Sequence, residues 1–198
     1  MIKPLLFVGS LLCAGTASAA CLATALGGTC GTATKYEVNV QSVALCQDSS
    51  CSSPVTVGSS AQSFDIASAA VGSAIGSYAN FDSVTAGNYT HIQVIASRSF
   101  TISGTATGCS AVTSQTLSVP NTNPGGTLDA AMAALGITWY DSPTKSQLKI
   151  ITALSSPLTI SRTASMPNVS VRFGTSQGLM CIATVPYPSP PDISIVVQ

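Results

Sequence analysis

From Tyr89 to Ser103 the chain reads YTHIQVIASRSFTIS, the longest run in which apolar and polar residues take turns. Successive side chains of a strand point to opposite faces, so this period of two specifies a half-buried β-strand and excludes a helix. Thr90, Ile92, Val94, Ala96, Phe100 and Ile102 fall on one face; His91, Gln93, Ser97, Ser99 and Thr101 fall on the other. Arg98 interrupts the apolar face and predicts a bend or break there. A second alternation, KYEVNVQSVAL, places Tyr36, Val38 and Val40 together, then changes phase so that Val43 and Leu45 carry the pattern. One extra residue near Ser42, a β-bulge, accounts for the slip.

Further strand candidates are Val112–Val119, Leu148–Leu154, Leu158–Ser161, Val169–Phe173, Leu179–Val185 and Ile193–Val197, many of them β-branched and bounded by Gly, Pro, Ser or Asn. One helix is predicted in TLDAAMAALG, with Thr127 as N-cap, Asp129 near the positive end and Gly136 past the last turn. Its apolar residues and the adjoining ITWY suggest a crossover lid on the sheet. Many short strands with one helical insertion near 128–135 define an all-β, antiparallel β-sandwich.

The first residues, MIKPLLFVGSLLCAGTASAA, have the form of a secretory signal: Lys3, an apolar run from Pro4 to Ala14, and Ala17-Ser18-Ala19 as the cleavage site. The expected organisation is a signal peptide over 1–19 and one disulfide-stapled domain over 20–198, exported to the periplasm, cell surface or medium. No later run is long and apolar enough to span a bilayer. Without Lys3, six basic residues face seven acidic ones, and charged residues make up 7% of the chain. Clustered cations for nucleic acid or anionic membrane are missing. The hydrophobic fraction of 45% separates this low charge from that of a disordered chain.

Six cysteines remain after the signal: Cys21, Cys30, Cys46, Cys51, Cys109 and Cys181. An even number in an exported chain reads as three disulfides, although six cysteines allow 15 pairings. The preferred set is Cys21–Cys30, Cys46–Cys51 and Cys109–Cys181, two short clips and one long staple. A metal site would need closer pairs than CQDSSC supplies. Lipidation of Cys21 is the rival, but Ser18-Ala19-Ala20 lack the leucine of a lipobox and an odd thiol would remain.

Chemistry-bearing motifs are few. GTSQG, Gly174–Gly178, fits the G-x-S-x-G nucleophile elbow, which requires a strand before Ser176, a helix after it and a downstream histidine. The adjoining LMCIATVPYP is another strand-like run, and the sole histidine, His91, lies far upstream; the motif reads as a hairpin loop. His91 itself sits on the polar face of the strongest strand. The carboxylates Glu37, Asp48, Asp65, Asp82, Asp129, Asp141 and Asp192 are scattered, and no sequence feature pairs them for acid–base work. No catalytic residue, cofactor or metal ligand is therefore assigned. Trp139 and Tyr140, backed by Tyr78, Tyr89 and Tyr187, form a candidate aromatic platform for carbohydrate; the competing role for Trp139 is packing the helix on the core. The last segment, PSPPDISIVVQ, sets Ile193, Ile195 and Val197 on one face behind a proline-rich hinge. It either closes the chain's own sheet or is donated to a neighbour's edge. Two sequons, at Asn88 and Asn168, matter only in a glycosylating host.

Phe64-Asp65-Ile66, with Gly87-x-Tyr89 leading into Ile92, resembles the bacterial secreted prealbumin-like (carboxypeptidase-regulatory-like) β-sandwich domains. The likeness covers about a sixth of the chain, and the helical insertion is not part of the basic pattern. It implies a cell-surface scaffold, stalk, pilus component or binding module rather than a catalyst. The expectation is a non-enzymatic structural or adhesive surface protein that pairs through sheet edges; the alternative is a carbohydrate-binding module.

Overall fold

The computed structural model describes residues 22–68, 84–121, 127–161 and 169–197, without the side chains of Ala25, 169–173 and 192–197. The signal segment, Cys13, Cys21, Tyr78, Asp82 and Asn168 lie outside the described residues. Strand accounts for 58% and helix for 8%, so the fold is all-β and sandwich-like, as the alternation requires. In chain order the elements are α1 (Leu22–Ala25), β1 (Thr29–Cys46), β2 (Val55–Gly58), β3 (Gln62–Asp65), β4 (Gly87–Ala106) and β5 (Val112–Ser118). Next come α2 (Thr127–Ala134), β6 (Ile137–Trp139), β7 (Gln147–Ile160), β8 (Val169–Gly174), β9 (Leu179–Ile182), β10 (Val185–Pro188) and β11 (Asp192–Val197).

Two very long strands organise everything. β1 and β4, of 18 and 20 residues, pair antiparallel from Gly31↔Ala106 to Cys46↔His91. At ~3.3 Å per residue each would run about 60 Å if straight, too long for one flat layer of a small protein. Bulges bend them. Val40 faces Ala96 and Ser42 faces Ile95, so Gln41 is the extra residue that the phase slip in KYEVNVQSVAL anticipates. With it, Tyr36↔Ile102, Val38↔Phe100, Val40↔Ala96, Val43↔Val94 and Leu45↔Ile92 all pair apolar with apolar. Directly opposed residues share a face, so the bulge holds one apolar face on both sides of the slip.

The bend expected at Arg98 is present, but the strand is not broken. Between Val38↔Phe100 and Val40↔Ala96, β4 carries two more residues than β1. On its other edge β4 pairs with β7 up to Ser97 and with β5 from Ser99. Arg98 marks the exchange: its N–H donates to the Ser146 carbonyl (3.1 Å), its own carbonyl accepts from Val119 N (2.9 Å), and its Nη1 reaches the Val119 carbonyl (2.8 Å).

The two sheets are unequal. Nine strands form one sheet in the order β10-β9-β1-β4-β7-β6, with β2 and β3 added along β1 and β5 along β4; β8 and β11 form a two-stranded ribbon. β10 approaches β5, which curls the larger sheet, and the ribbon's β11 lies beside β7. Beneath the curl, Tyr36, Phe100, Ile102, Val112, Leu179 and Met180 form the main core. A second core joins Leu45, Val57, Tyr89, Ile92, Leu154 and Leu158 at the far end of β1 and β4. Gly31 allows the tight start of β1, since a Cβ there would stand 1.9 Å from the Thr105 carbonyl oxygen.

Boundaries differ from the sequence expectation in two informative places. Leu148–Leu154 and Leu158–Ser161 are one strand, β7, because Leu154 to Pro157 form a bulge between Tyr89↔Leu158 and His91↔Ala153. Leu179–Val185 is instead a hairpin: Ala183 and Thr184 both take positive φ (48° and 70°) between the paired Ile182 and Val185. That is type I′ geometry, whose usual Asn-Gly signature is absent here. The predicted helix forms over Thr127–Ala134; Leu128 and Met132, one turn apart, are buried in the main core, and Gly136 takes φ +71° just past its end. α2 leads into β6, which pairs with β7 at the sheet edge.

Tyr89 is fully buried at the start of β4, and its hydroxyl donates to the Thr85 carbonyl four residues upstream (2.8 Å). This is the tyrosine-corner arrangement of β-sandwiches, built on the Gly87-x-Tyr89 turn. Tyr89→Phe leaves that carbonyl without the phenol and is expected to cost about 1–2 kcal/mol, read as a lower urea midpoint at unchanged slope.

Candidate functional site

The sulfur framework is partly laid out. Cys46–Cys51 closes the loop after β1 with a Cα separation of 5.0 Å, and Cys109–Cys181 joins the β4–β5 turn to β9 across 5.7 Å. Both bridges are among the preferred pairings. Cys30 is also disulfide-bonded. Among the described residues no three His, Cys, Asp or Glu side chains group as metal ligands, and no helix is long and apolar enough to cross a membrane.

Ser176 is exposed in a turn that links β8, in the ribbon, to β9, in the large sheet. The turn is therefore a crossover between sheets, not the hairpin that the sequence suggested: β8 and β9 are not partners. The loop is stitched to the start of β1. Ala33 N donates to the Thr175 carbonyl (3.0 Å), Thr175 Oγ1 to the Ala33 carbonyl (3.1 Å), and Thr32 Oγ1 to the Ser176 carbonyl (3.3 Å). A strand, not a helix, comes after the motif. His91 pairs with Cys46, 13 residues along β1 from Ala33, which is roughly 40 Å of strand. The geometry an elbow needs is not assembled at Ser176.

Each carboxylate with a described side chain is committed to structure. Asp48 gathers the clip loop: its Oδ1 accepts from Ser50 N (2.9 Å) and Ser52 N (3.3 Å), its Oδ2 from Ser52 Oγ (2.7 Å). The Ser50 and Ser52 hydroxyls, which favour the charged form, lower its pKa to about 2. Asp141 does the same after β6, taking Ser146 N (3.0 Å) and Gln147 N (2.7 Å), and the Ser146 hydroxyl bond lowers its pKa. Asp65 accepts from Tyr36 N (3.1 Å) and Ala67 N (3.2 Å), pinning β3 to β1; Glu37 pairs with Lys35 (3.4 Å).

The aromatic platform separates into two unlike residues. Trp139 is half-buried against the main core; its Nε1–H donates to Asp129 of α2 (2.8 Å), and Lys145 Nζ bonds the same carboxylate (3.1 Å) while standing 5.3 Å from the indole centroid. Helix, strand and loop thus meet on this ring. Tyr140 is 57% exposed. Ile193, Ile195 and Val197 pair with Phe173, Val171 and Val169 of their own chain.

Sequence reasoning missed a shallow groove of about 330 Å³ across β4, β7 and β6, where His91 and Lys149 meet Ser49 and Thr138 above Ile151 and Ala153. The signal was partial: Lys149, Ile151 and Ala153 alternate on one face of β7, but the register that sets them beside His91 is not written in the sequence. No protein-family model, curated protein or solved structure matches the chain.

Proposed function

We propose that the protein is a non-enzymatic, exported structural or adhesive component of the cell surface, held durable by disulfides and associating through sheet edges. The observation that carries this reading is the use of the described carboxylates: all five cap loops, pin strands or pair with a neighbouring cation, so each is held by a structural partner rather than set out for proton transfer. The Cys46–Cys51 and Cys109–Cys181 bridges support an oxidising destination. The open edges are blunted sparingly, Pro186 and Pro188 on β10 being the clearest device.

Two measurements test it. Produced with its leader in a Gram-negative host, the chain should appear outside the cytoplasm, 19 residues shorter and without titratable thiols; full-length chain with free thiols in the cytoplasm overturns the reading. Light scattering on the exported protein then examines assembly. Loss of an oligomer on deleting 192–198 supports donation of β11, whereas a destabilised monomer assigns that strand to closing β8. The carbohydrate-module alternative draws on exposed Tyr140, and quenching of the single Trp139 by neutral glycans would favour it.

A further inference from the structure

We propose that the groove on the β4–β7 face is a binding site for an acidic monosaccharide, a uronate, with Lys149 taking its carboxylate and His91 one of its hydroxyls. The proposal is independent of export and of self-association.

Charge is the first ground. Lys149 and His91 line the groove together, and among the described residues no carboxylate does. Among the described residues the ion pairs are Lys35–Glu37 and Lys145–Asp129, so Lys149 faces this recess without a counter-ion. In a chain with 7% charged residues an ammonium left unpaired in a recess favours a negatively charged ligand, and an ammonium-to-carboxylate hydrogen bond is among the stronger kinds.

The second ground is the tautomer of His91. Thr90 Oγ1 lies 2.9 Å from His91 Nδ1 and 2.9 Å from the Gln47 carbonyl oxygen. A carbonyl only accepts, so the single hydroxyl proton of Thr90 goes to Gln47, and towards His91 the hydroxyl can only accept. Nδ1 therefore carries the proton, and in the neutral ring Nε2 is a bare acceptor. A bare acceptor repels a carboxylate and welcomes a hydroxyl. The groove thus asks for both a negative group, at Lys149, and a hydroxyl donor, at His91. On β7, Lys149 sits four residues from Ala153, the partner of His91, about 13 Å apart at the backbone. Both nevertheless line one groove of about 330 Å³, room for a single sugar ring.

The third ground is shape. Ile151, Ala153 and Gly136 give the lining its apolar part, and Ser49 and Thr138 add hydroxyl-bearing residues. A lining of apolar residues with a few polar groups is how small-ligand sites are built, and the volume lies at the low end of their range.

Isotope-labelled, oxidised protein titrated with sodium glucuronate should show saturable shifts of the His91 ring and of the Thr138 and Ile151 amides. Glucose should bind at least about tenfold more weakly, Lys149→Gln should weaken glucuronate about tenfold or more, and His91→Ala by about three- to tenfold. Unchanged near-ultraviolet dichroism of both variants shows that they are folded. The absence of saturable shifts, equal binding of glucose and glucuronate, or an undiminished Lys149→Gln overturns the proposal. Inorganic sulfate matching glucuronate would reduce the groove to a simple anion site and overturn the sugar assignment.

Discussion

Replacing Cys109 and Cys181 together with serine should lower the unfolding free energy by about 4 kcal/mol, the largest effect expected of any bridge described. The bond spans 72 residues, and the chain-entropy relation for closing a loop of that size gives about 4 kcal/mol at 25 °C, against about 2 for the Cys46–Cys51 clip, which spans 5. Position amplifies the difference. Cys181 lies on β9, which joins β1 through only Thr29↔Cys181, Cys30↔Met180 and Gly31↔Leu179. The bridge ties this short strand to the β4–β5 turn and holds the curl of the sheet closed over Leu179 and Met180, both fully buried. In a chain of this size, 4 kcal/mol corresponds to a melting temperature lower by about 8–16 °C. Thermal unfolding of the two double-serine variants side by side decides the matter. An equal or smaller loss for the long bridge would show that β9 is held by packing alone.

Tyr36→Ala should cost about 3–5 kcal/mol, the range for removing a buried aromatic side chain. The ring is fully buried, packs on Phe100 with centroids 5.3 Å apart, and sits under Gly178. Its hydroxyl donates to the Ser189 carbonyl (2.9 Å), anchoring the segment between β10 and β11 from 153 residues away. Tyr36→Phe isolates that last contact. Ser189 is 1% exposed, so its carbonyl loses its phenol partner with little access to water, at about 1–3 kcal/mol. Burial also pushes the phenol's pKa far above its ordinary value. A raised folded pKa means the contribution is fully present below the unfolded value, about 10, and is lost as pH climbs beyond it. Urea midpoints from pH 8 to 11 should therefore fall for the parent protein and fall less steeply for Tyr36→Phe. Equal slopes would show that Tyr36 plays no part in alkaline unfolding.

The parts of the fold that were legible were local. Alternation in YTHIQVIASRSFTIS and KYEVNVQSVAL located β4 and β1, and the parity change between Val40 and Val43 announced a bulge near Ser42, which the register places at Gln41, because a strand's two faces are counted in single residues. Arg98 announced its bend because a charged side chain cannot stay on an apolar face. The hairpin at Ala183-Thr184 was hidden, since neither residue advertises positive φ. The ribbon of β8 and β11 was hidden too: which of several apolar strands pair is decided by the packing of the whole chain.

The site divides in the same way. Trp139 and Asp129 stood out as an aromatic and a helix-start acid, yet their 2.8 Å bond, which gives the indole a structural partner, exists only once α2 packs beside β6. Ser176 matched a motif whose neighbours in space turned out to be Thr32 and Ala33.

By itself the sequence determined the class of the fold, the scarcity of charge and the number of cysteines, because periodicity and composition are properties of neighbouring residues and counts. Tertiary structure alone decided that 18 and 20 residues of strand bend round two cores, which partner each described carboxylate takes, and that His91 and Lys149 line one groove. Those outcomes depend on register between segments some 60 residues apart, where a shift of one residue turns every side chain to the opposite face.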